Sequence, residues 1–374
     1  MRPLEGIRVL DFSTLLPGPL TTLILAEAGA EVIKIERPPA GDEIRTYVPK
    51  VGRDSVVFAQ LNRGKRSIAI DLKEPGAIER LMPLVRSADI LVEQFRPGVM
   101  ERLGLGYETL KSINPGLIYC SLTGYGRTGP KANKAAHDLN YVAESGMLSL
   151  VAREGETPSM PPVLIADIGA GTYPAVINVL LGLQARASSG QGCHIDISMN
   201  DNVLPFMYWA IGEGLGLQLW PRPGQGLVTG GSPRYNIYRT ADGRFIAAAP
   251  LEQRFWEPFC EVIGLPQELR DDSTDPAATR AGVAQAIMAH TSDHWRQAFK
   301  DIDACVSVIA TLEEAFRDPH YQARGVFAYG VTSADRSLPA TPVPVDGVFR
   351  LPPGDVGYPA LGEANGLLAN GKTG

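Results

Sequence analysis

The run Gly6-Ile7-Arg8-Val9-Leu10-Asp11-Phe12 is followed by a stretch that opens at Pro19, continues to Ala28 and closes at Gly29, and then by Glu31-Val32-Ile33-Lys34-Ile35. These residues decide the fold. The two short apolar, β-branched runs read as strands. The segment between them reads as a helix, with proline at its start and glycine just past its end. Together they form a β-α-β unit, and the alternation continues outward: strand at 67–72, helix at 75–87, strand at 89–95, short helix at 107–113, strand at 117–122. Strands separated by helices pair in parallel, so the class is α/β, with a doubly wound sheet covered by helices.

Downstream of Asp167 a glycine-rich start leads into a long apolar stretch, 173–187, predicted as a buried helix, then a strand at 194–199 and a helix from Asp201. The character changes near Trp220. Pro221-Arg222-Pro223-Gly224-Gln225-Gly226 reads as a linker, and the runs 235–240 and 244–249 flank Ala241-Asp242-Gly243, a hairpin turn signal. From Gln253 to about Arg324 the pattern is helical and more polar. The predicted organisation is a large Rossmann-like domain over 1–220, completed by the C-terminal segment 331–374, and a small domain with its linkers over 221–330. The proline- and glycine-rich tail has too little periodicity to fold alone and should wrap back over the large domain.

Composition bounds the function. The chain has 374 residues, 44% hydrophobic and 20% charged, enough for a substantial buried core. A net charge of -6 argues against nucleic acid as the main partner, since phosphate binding by a whole surface needs a basic excess. No run reads as the roughly 18 apolar residues of a membrane span, and the N-terminus passes straight into a strand, so a cytoplasmic protein is expected. Cys120, Cys193, Cys260 and Cys305 are scattered without a C-x-x-C pair, which suggests neither a disulfide frame nor a metal site.

Three signals are discounted. Gly124-Tyr125-Gly126-Arg127-Thr128-Gly129 matches G-x-G-x-x-G after a strand, but Pro130 and a polar run replace the helix that would receive a pyrophosphate. His290 and His294 are four apart, yet Thr291-Ser292 between them reads as a helix cap, so the two should not share a face. His194, beside Cys193 in a strand, reads as structural.

The groups that could carry chemistry are few. Arg37 ends one strand, Arg96 follows another, and Asn62-Arg63-Gly64-Lys65-Arg66-Ser67 places three cations before a third. Ligands of doubly wound sheets bind near the carboxyl ends of strands, so these cations could meet phosphates; a solvated basic turn is the competing reading. His137 lies in a segment without strong periodicity. Asp167 precedes a glycine-rich helix start and reads as an N-cap, where the helix dipole would hold its carboxylate ionised. Glu252 begins a helix after the hairpin. A histidine and a carboxylate on opposite faces of one carbon could remove a proton from one side and return it on the other.

Several segments resemble the family III CoA-transferase superfamily, in particular its α-methylacyl-CoA racemase branch. They are 6–12 with Leu16-Pro17-Gly18-Pro19, Arg63-Gly64-Lys65-Arg66-Ser67, Arg96-Pro97-Gly98-Val99-Met100, Gly124-Tyr125-Gly126, Ala136-His137-Asp138-Leu139-Asn140-Tyr141, and Gly230-Gly231-Ser232-Pro233 with Tyr238-Arg239-Thr240-Ala241-Asp242-Gly243. The likeness runs from the first strand to about Phe255. It implies a large Rossmann-like domain, a smaller α+β domain and an interlocked homodimer with its active site between subunits. It implies an acyl-CoA substrate, with coenzyme A part of that substrate and no further cofactor or metal. His137 with Glu252 and Asp167 would form the acid-base set, and the Asp138 amide would be an oxyanion donor. Arg37, Asn62, Lys65, Arg66, Arg96, Tyr125 and Gly126 would hold coenzyme A, and Leu15, Leu16 and the surroundings of Met147 would line the acyl pocket. The branch that transfers coenzyme A between carboxylates keeps an aspartate matching Asp167 as nucleophile and usually lacks a histidine at the position of His137. Two departures stand out: Ala249-Pro250-Leu251-Glu252 where the racemases read more like Gly-Ala-Ile-Glu, and Gly362-Glu363-Ala364 where the family usually has Gly-Glu-His.

Overall fold

The computed structural model describes residues 1–151, 156–333 and 336–369. The chain packs into two units, one of residues 1–145, 161–206 and 320–374, the other of 146–160 and 207–319. Residues 334–335 and 370–374 of the closing segment lie outside the described residues.

The first unit is built on a six-stranded parallel sheet in the order Arg66–Ala69, Glu31–Glu36, Arg8–Phe12, Ile90–Glu93, Ile118–Thr123, Cys193–Ser198. The chain winds one way from the first strand and then returns to its other side. The switch therefore falls between Arg8–Phe12 and Ile90–Glu93, and the crevice of such a sheet opens at the carboxyl ends there. Register stacks like on like: Leu10 pairs with Ile33 on one side and Leu91 on the other, and all three are fully buried. Leu81, Leu84 and Val85, from the helix Ala77–Arg86, cover them. Each such side chain contributes about 1.5–3 kcal/mol through burial.

The tail closes this unit. Gly330–Ser333, Arg336–Pro339 and Asp355–Gly357 form a small sheet. Beyond it the Ala364 amide donates to Ser67 O at 2.8 Å, and Ala364 and Leu368 enter the main core.

The apolar helix downstream of Asp167 departs from expectation. It spans Tyr173–Ser189 and buries only Ala175, Val179 and Gly182, leaving Ile177, Leu180 and Leu181 exposed. With the turn before it, Ile165–Ser189 is long and apolar enough by length and composition to cross a membrane, contrary to the sequence reading, which found no run of that length. In the fold Gly182 lies against Ile118 and Cys193 of the sheet, where a Cβ would sit 3.2 Å from either side chain.

The second unit carries an antiparallel sheet, Val306–Val308, Phe245–Ala248 and Asn236–Arg239 in that order. The predicted hairpin turns at Ala241-Asp242-Gly243, where Gly243 takes φ +79°. One sheet face, with Tyr238, Ile246 and Ala248, packs on Trp256, Phe259, Val283, Ile287 and Trp295.

Candidate active site

Asp167 is not an N-cap. It is the third residue of a π-helical turn, Ile165–Thr172, that runs directly into the long helix. The wide turn is possible because its residues are small: a Cβ on Gly171 would lie 3.0 Å from Met199 Cγ and 3.3 Å from Ala166 O. Its carboxyl end is tied by Thr172 Oγ1 donating to Pro17 O (2.8 Å) and by Asn202 Nδ2 donating to Ala170 O (3.1 Å). Single π turns inside helices frequently mark functional sites.

The Asp167 amide donates to the buried carboxylate of Asp138 at 2.9 Å. Asp138 opens the helix Asp138–Glu144, and His137 precedes it, exposed, with its amide donating to Asn140 Oδ1 at 3.0 Å. The Asp138 amide falls in the first helical turn, where amides have no intrahelical acceptor. Burial, then the Asp138 charge, push the Asp167 carboxyl up to about 6, with His137 acting in the opposite sense. His137, Asp138 and Asp167 thus form one electrostatic cluster within the first unit. The carboxylate of Asp138, as the group that fixes the Asp167 backbone, is a role the sequence did not reveal. Glu252 belongs to the second unit, exposed at the head of the helix Gln253–Val262.

The residues expected around coenzyme A divide sharply. Arg37 and Arg96 are exposed just past the carboxyl ends of Glu31–Glu36 and Ile90–Glu93, the two strands flanking Arg8–Phe12. Arg37 pairs loosely with Asp71 at 3.2 Å. Gly126 takes φ +78°, a conformation natural to glycine. The Tyr125 ring is buried and its hydroxyl donates to Glu144 Oε1 at 2.9 Å, with burial and Glu144 pushing that hydroxyl up to about 12. Lys131 and Lys134 lie 5.7 and 5.9 Å from its ring centroid and both pair with Glu144.

Lys65, Asn62 and Arg66 are engaged by the protein itself. Lys65 Nζ is fully buried and spends its three donors on Asp11 (3.1 Å), Pro19 O (2.9 Å) and Asn62 Oδ1 (2.8 Å). Asn62 is equally buried, its amide turned back to Phe58 O. Arg66 sits at the amino end of its strand, paired with Glu31 at 2.9 Å, away from the carboxyl rim. Within the basic run, Asp11, near the end of the first strand, draws Lys65 inward, while Arg66 stays exposed. Burial would raise the Asp11 carboxyl, but Lys65 and Lys34 outweigh it and hold the group well below the usual range, while burial lowers Lys65 to about 8. Lys34 extends the network to Asp42 at 3.0 Å, and Asp42 accepts from the Leu15 amide at 3.2 Å. Leu15 is held at φ +62°, in the loop at the carboxyl edge of the first strand.

The remaining candidates are quiet. Burial and Arg127 push His194 down to about 4, and its ring packs between Tyr107, Tyr119 and the Ser121 hydroxyl. The Thr291 cap is present, accepting from the His294 amide, yet the rings of His290 and His294 stack 4.0 Å apart at 17°, contrary to expectation. Parallel stacked rings do not converge on one ion. Among the described residues no group of three His, Cys, Asp or Glu could hold a metal. The sequence also gave no warning of Glu93, which ends the strand at the switch point and is pushed up to about 7 by burial.

The doubly wound sheet with the His137, Asp138 and Asp167 cluster defines an α/β class of protein, and comparison narrows it. Residues 4–365 match CoA-transferase family III, and the chain belongs to that family. It is 36% identical over 350 residues to the α-methylacyl-CoA racemase of Homo sapiens, covering 91% of this chain and 86% of the relative. It is 33% identical to the acetyl-CoA:oxalate CoA-transferase of Acetobacter aceti, covering 98% and 95%. A CAIB/BAIF family protein from Brucella suis superposes with a TM-score of 0.81 at 28% identity, over 98% of each chain.

Proposed function

We propose that this enzyme interconverts the (2R) and (2S) epimers of 2-methylacyl-CoA thioesters. The observation that carries the reading is the grouping of His137 with an Asp167 carboxyl raised to about 6. At pH 7 such a carboxyl is protonated in roughly a tenth of molecules, two orders of magnitude more than an ordinary aspartate, so it can serve as acid as well as base. Neutral His137 takes the α-proton from one epimer, the enolate oxygen is met by the Asp138 amide, and protonated Asp167 returns a proton to the other face. The roles exchange in reverse. A thioester already acidifies its α-hydrogen, so the chemistry calls for coenzyme A only as part of the substrate. Arg37, Arg96, Tyr125 and Gly126 are the proposed coenzyme A contacts, and Glu252 the proposed further carboxylate of the acid-base set. The enzyme is proposed to act in the cytoplasm as an interlocked homodimer.

Similarity to the Acetobacter aceti transferase supports a second reading. There Asp167 would attack the thioester carbonyl, expel coenzyme A as thiolate and form a mixed anhydride. Proton NMR of the purified protein with one epimer of a 2-methylacyl-CoA in deuterated water, with and without an added carboxylate, separates the two. Loss of the α-hydrogen with growth of the other epimer and no need for an acceptor is the expected result. No exchange, with a new thioester only when the acceptor is present, would replace the racemase with the transferase.

A further inference from the structure

The second unit holds a cavity of about 1320 Å³ that none of the chemistry above uses. Its floor is the outer face of the hairpin, where alternation brings Ile237 and Arg239 from one strand beside Phe245 and Ala247 from the next. One wall is the helix Pro276–Met288, whose Ala277, Ala281 and Ala284 recur at helical spacing. The glycine-rich segment 223–231 lines it as well. Among the described residues, two cations, Arg239 and Arg280, line this space and no aspartate or glutamate does.

The two arginines are under-used. Arg280 Nη2 donates to Gly231 O at 2.6 Å, but its buried Nε has no protein partner among the described residues. A buried donor left unpaired costs about 1–3 kcal/mol, which a ligand oxygen would recover. Arg239 is exposed on the same surface. The apolar part of the lining is also open: Ile237 is 55% and Phe245 44% exposed.

We propose that this cavity binds a short aliphatic carboxylate, its carboxyl group taken by Arg280 and Arg239 and its hydrocarbon body lying on Ile237, Phe245 and the alanine stripe. A carboxylate fits better than a phosphate. With Nη2 committed to Gly231, Arg280 offers only part of its fork, and Ile237, Phe245 and the alanines suit a hydrocarbon body that a phosphate lacks. The carboxylate arrives either as a free acid or as the distal carboxyl of an acyl-CoA. The inference stands whichever reaction the enzyme catalyses.

The test is titration calorimetry of the full-length protein with sodium hexanoate, against 1-hexanol (body without charge) and inorganic phosphate (charge without body). Hexanoate is expected to bind once per chain, with both controls weaker by about tenfold or more, the loss of a charge-assisted hydrogen bond. Arg280→Gln should weaken hexanoate by a similar factor. Because that change also frees the Gly231 segment, Arg239→Gln, which removes no hydrogen bond to that segment among the described residues, serves as the second variant and should weaken it too. Adipoyl-CoA and hexanoyl-CoA distinguish the sources. Weakening of adipoyl-CoA alone by Arg239→Gln means the carboxylate enters on a thioester; weakening of neither, with free hexanoate still affected, means a free acid. Absence of hexanoate binding, phosphate binding as tight as hexanoate, or indifference to both substitutions would overturn the proposal.

Discussion

A single aspartate carries opposite demands in stability and chemistry. The Asp167 carboxyl is raised from 3.8 to about 6, chiefly by burial. The folded state therefore holds its proton more tightly than the unfolded state. The associated stability is fully present below pH 3.8 and is lost as pH rises through about 6. Asp167→Asn removes the cost, so it should match the parent near pH 4 and exceed it by up to about 3 kcal/mol at pH 7 in urea unfolding, while abolishing α-proton exchange. A variant less stable at every pH would show that burial does not strain this carboxyl. Lys65 makes the contrasting case. Its ion pair with Asp11 is wholly buried, and breaking one side of such a pair costs about 3–5 kcal/mol. Lys65→Met should lower the urea midpoint and leave the KM for the thioester nearly unchanged in the folded fraction; intact stability with a raised KM would return Lys65 to the ligand. Sequence and resemblance together marked His137, Asp138 and Asp167, because a histidine-aspartate pair and an aspartate before small residues are local patterns. They could not mark the burial of Lys65, since that depends on Asp11, more than fifty positions away, nor the pairing of Arg66 with Glu31, since both contacts are adjacent only after the sheet forms.

The same limit operates on elements. The strands of the main sheet were legible because each is a short apolar run bounded by turn residues, and the second unit's hairpin because Ala241-Asp242-Gly243 announces it. The π turn was not, because the glycines that permit it also look like a helix start, and what distinguishes the two is Met199 and Phe206 pressing against them. These contacts rank two substitutions. On Gly171 a Cβ meets buried Met199 and the Ala166 carbonyl, so Gly171→Ala must displace backbone or core and should cost about 1–3 kcal/mol, with slower exchange as Asp167 shifts. On Gly169 a Cβ comes within 2.8 Å of the Phe206 ring, which is half exposed and can swing aside, so Gly169→Ala should be milder. Urea unfolding of both variants checks the order, and the reverse order would mean that the turn yields more easily than the ring.

For the molecule as a whole, the unburied apolar surface is the feature that asks for a partner. In the first unit the helix Tyr173–Ser189 shows Ile177 and Leu181 to solvent, and in the second the helix Tyr208–Leu217 shows Leu215 and Leu217, followed by exposed Leu219 and Trp220. Large apolar side chains left exposed in each unit are the kind of surface that association covers. The proposed homodimer would cover it, and light scattering should then give twice the 40.2 kDa chain mass. Interlocking adds a sharper expectation than mass. If each chain threads the other, the pair cannot separate without unfolding, so dilution to nanomolar concentration should leave it dimeric, and mixing light with isotopically heavy protein should yield no mixed dimers until denaturant is added. Ile177→Glu with Leu181→Glu places two charges on the covered face and should lower the yield of assembled dimer at the refolding step more than it loosens a dimer already formed. A monomer mass at micromolar concentration would remove the dimer. Mixed dimers appearing within minutes in native buffer would keep the dimer but remove the interlock.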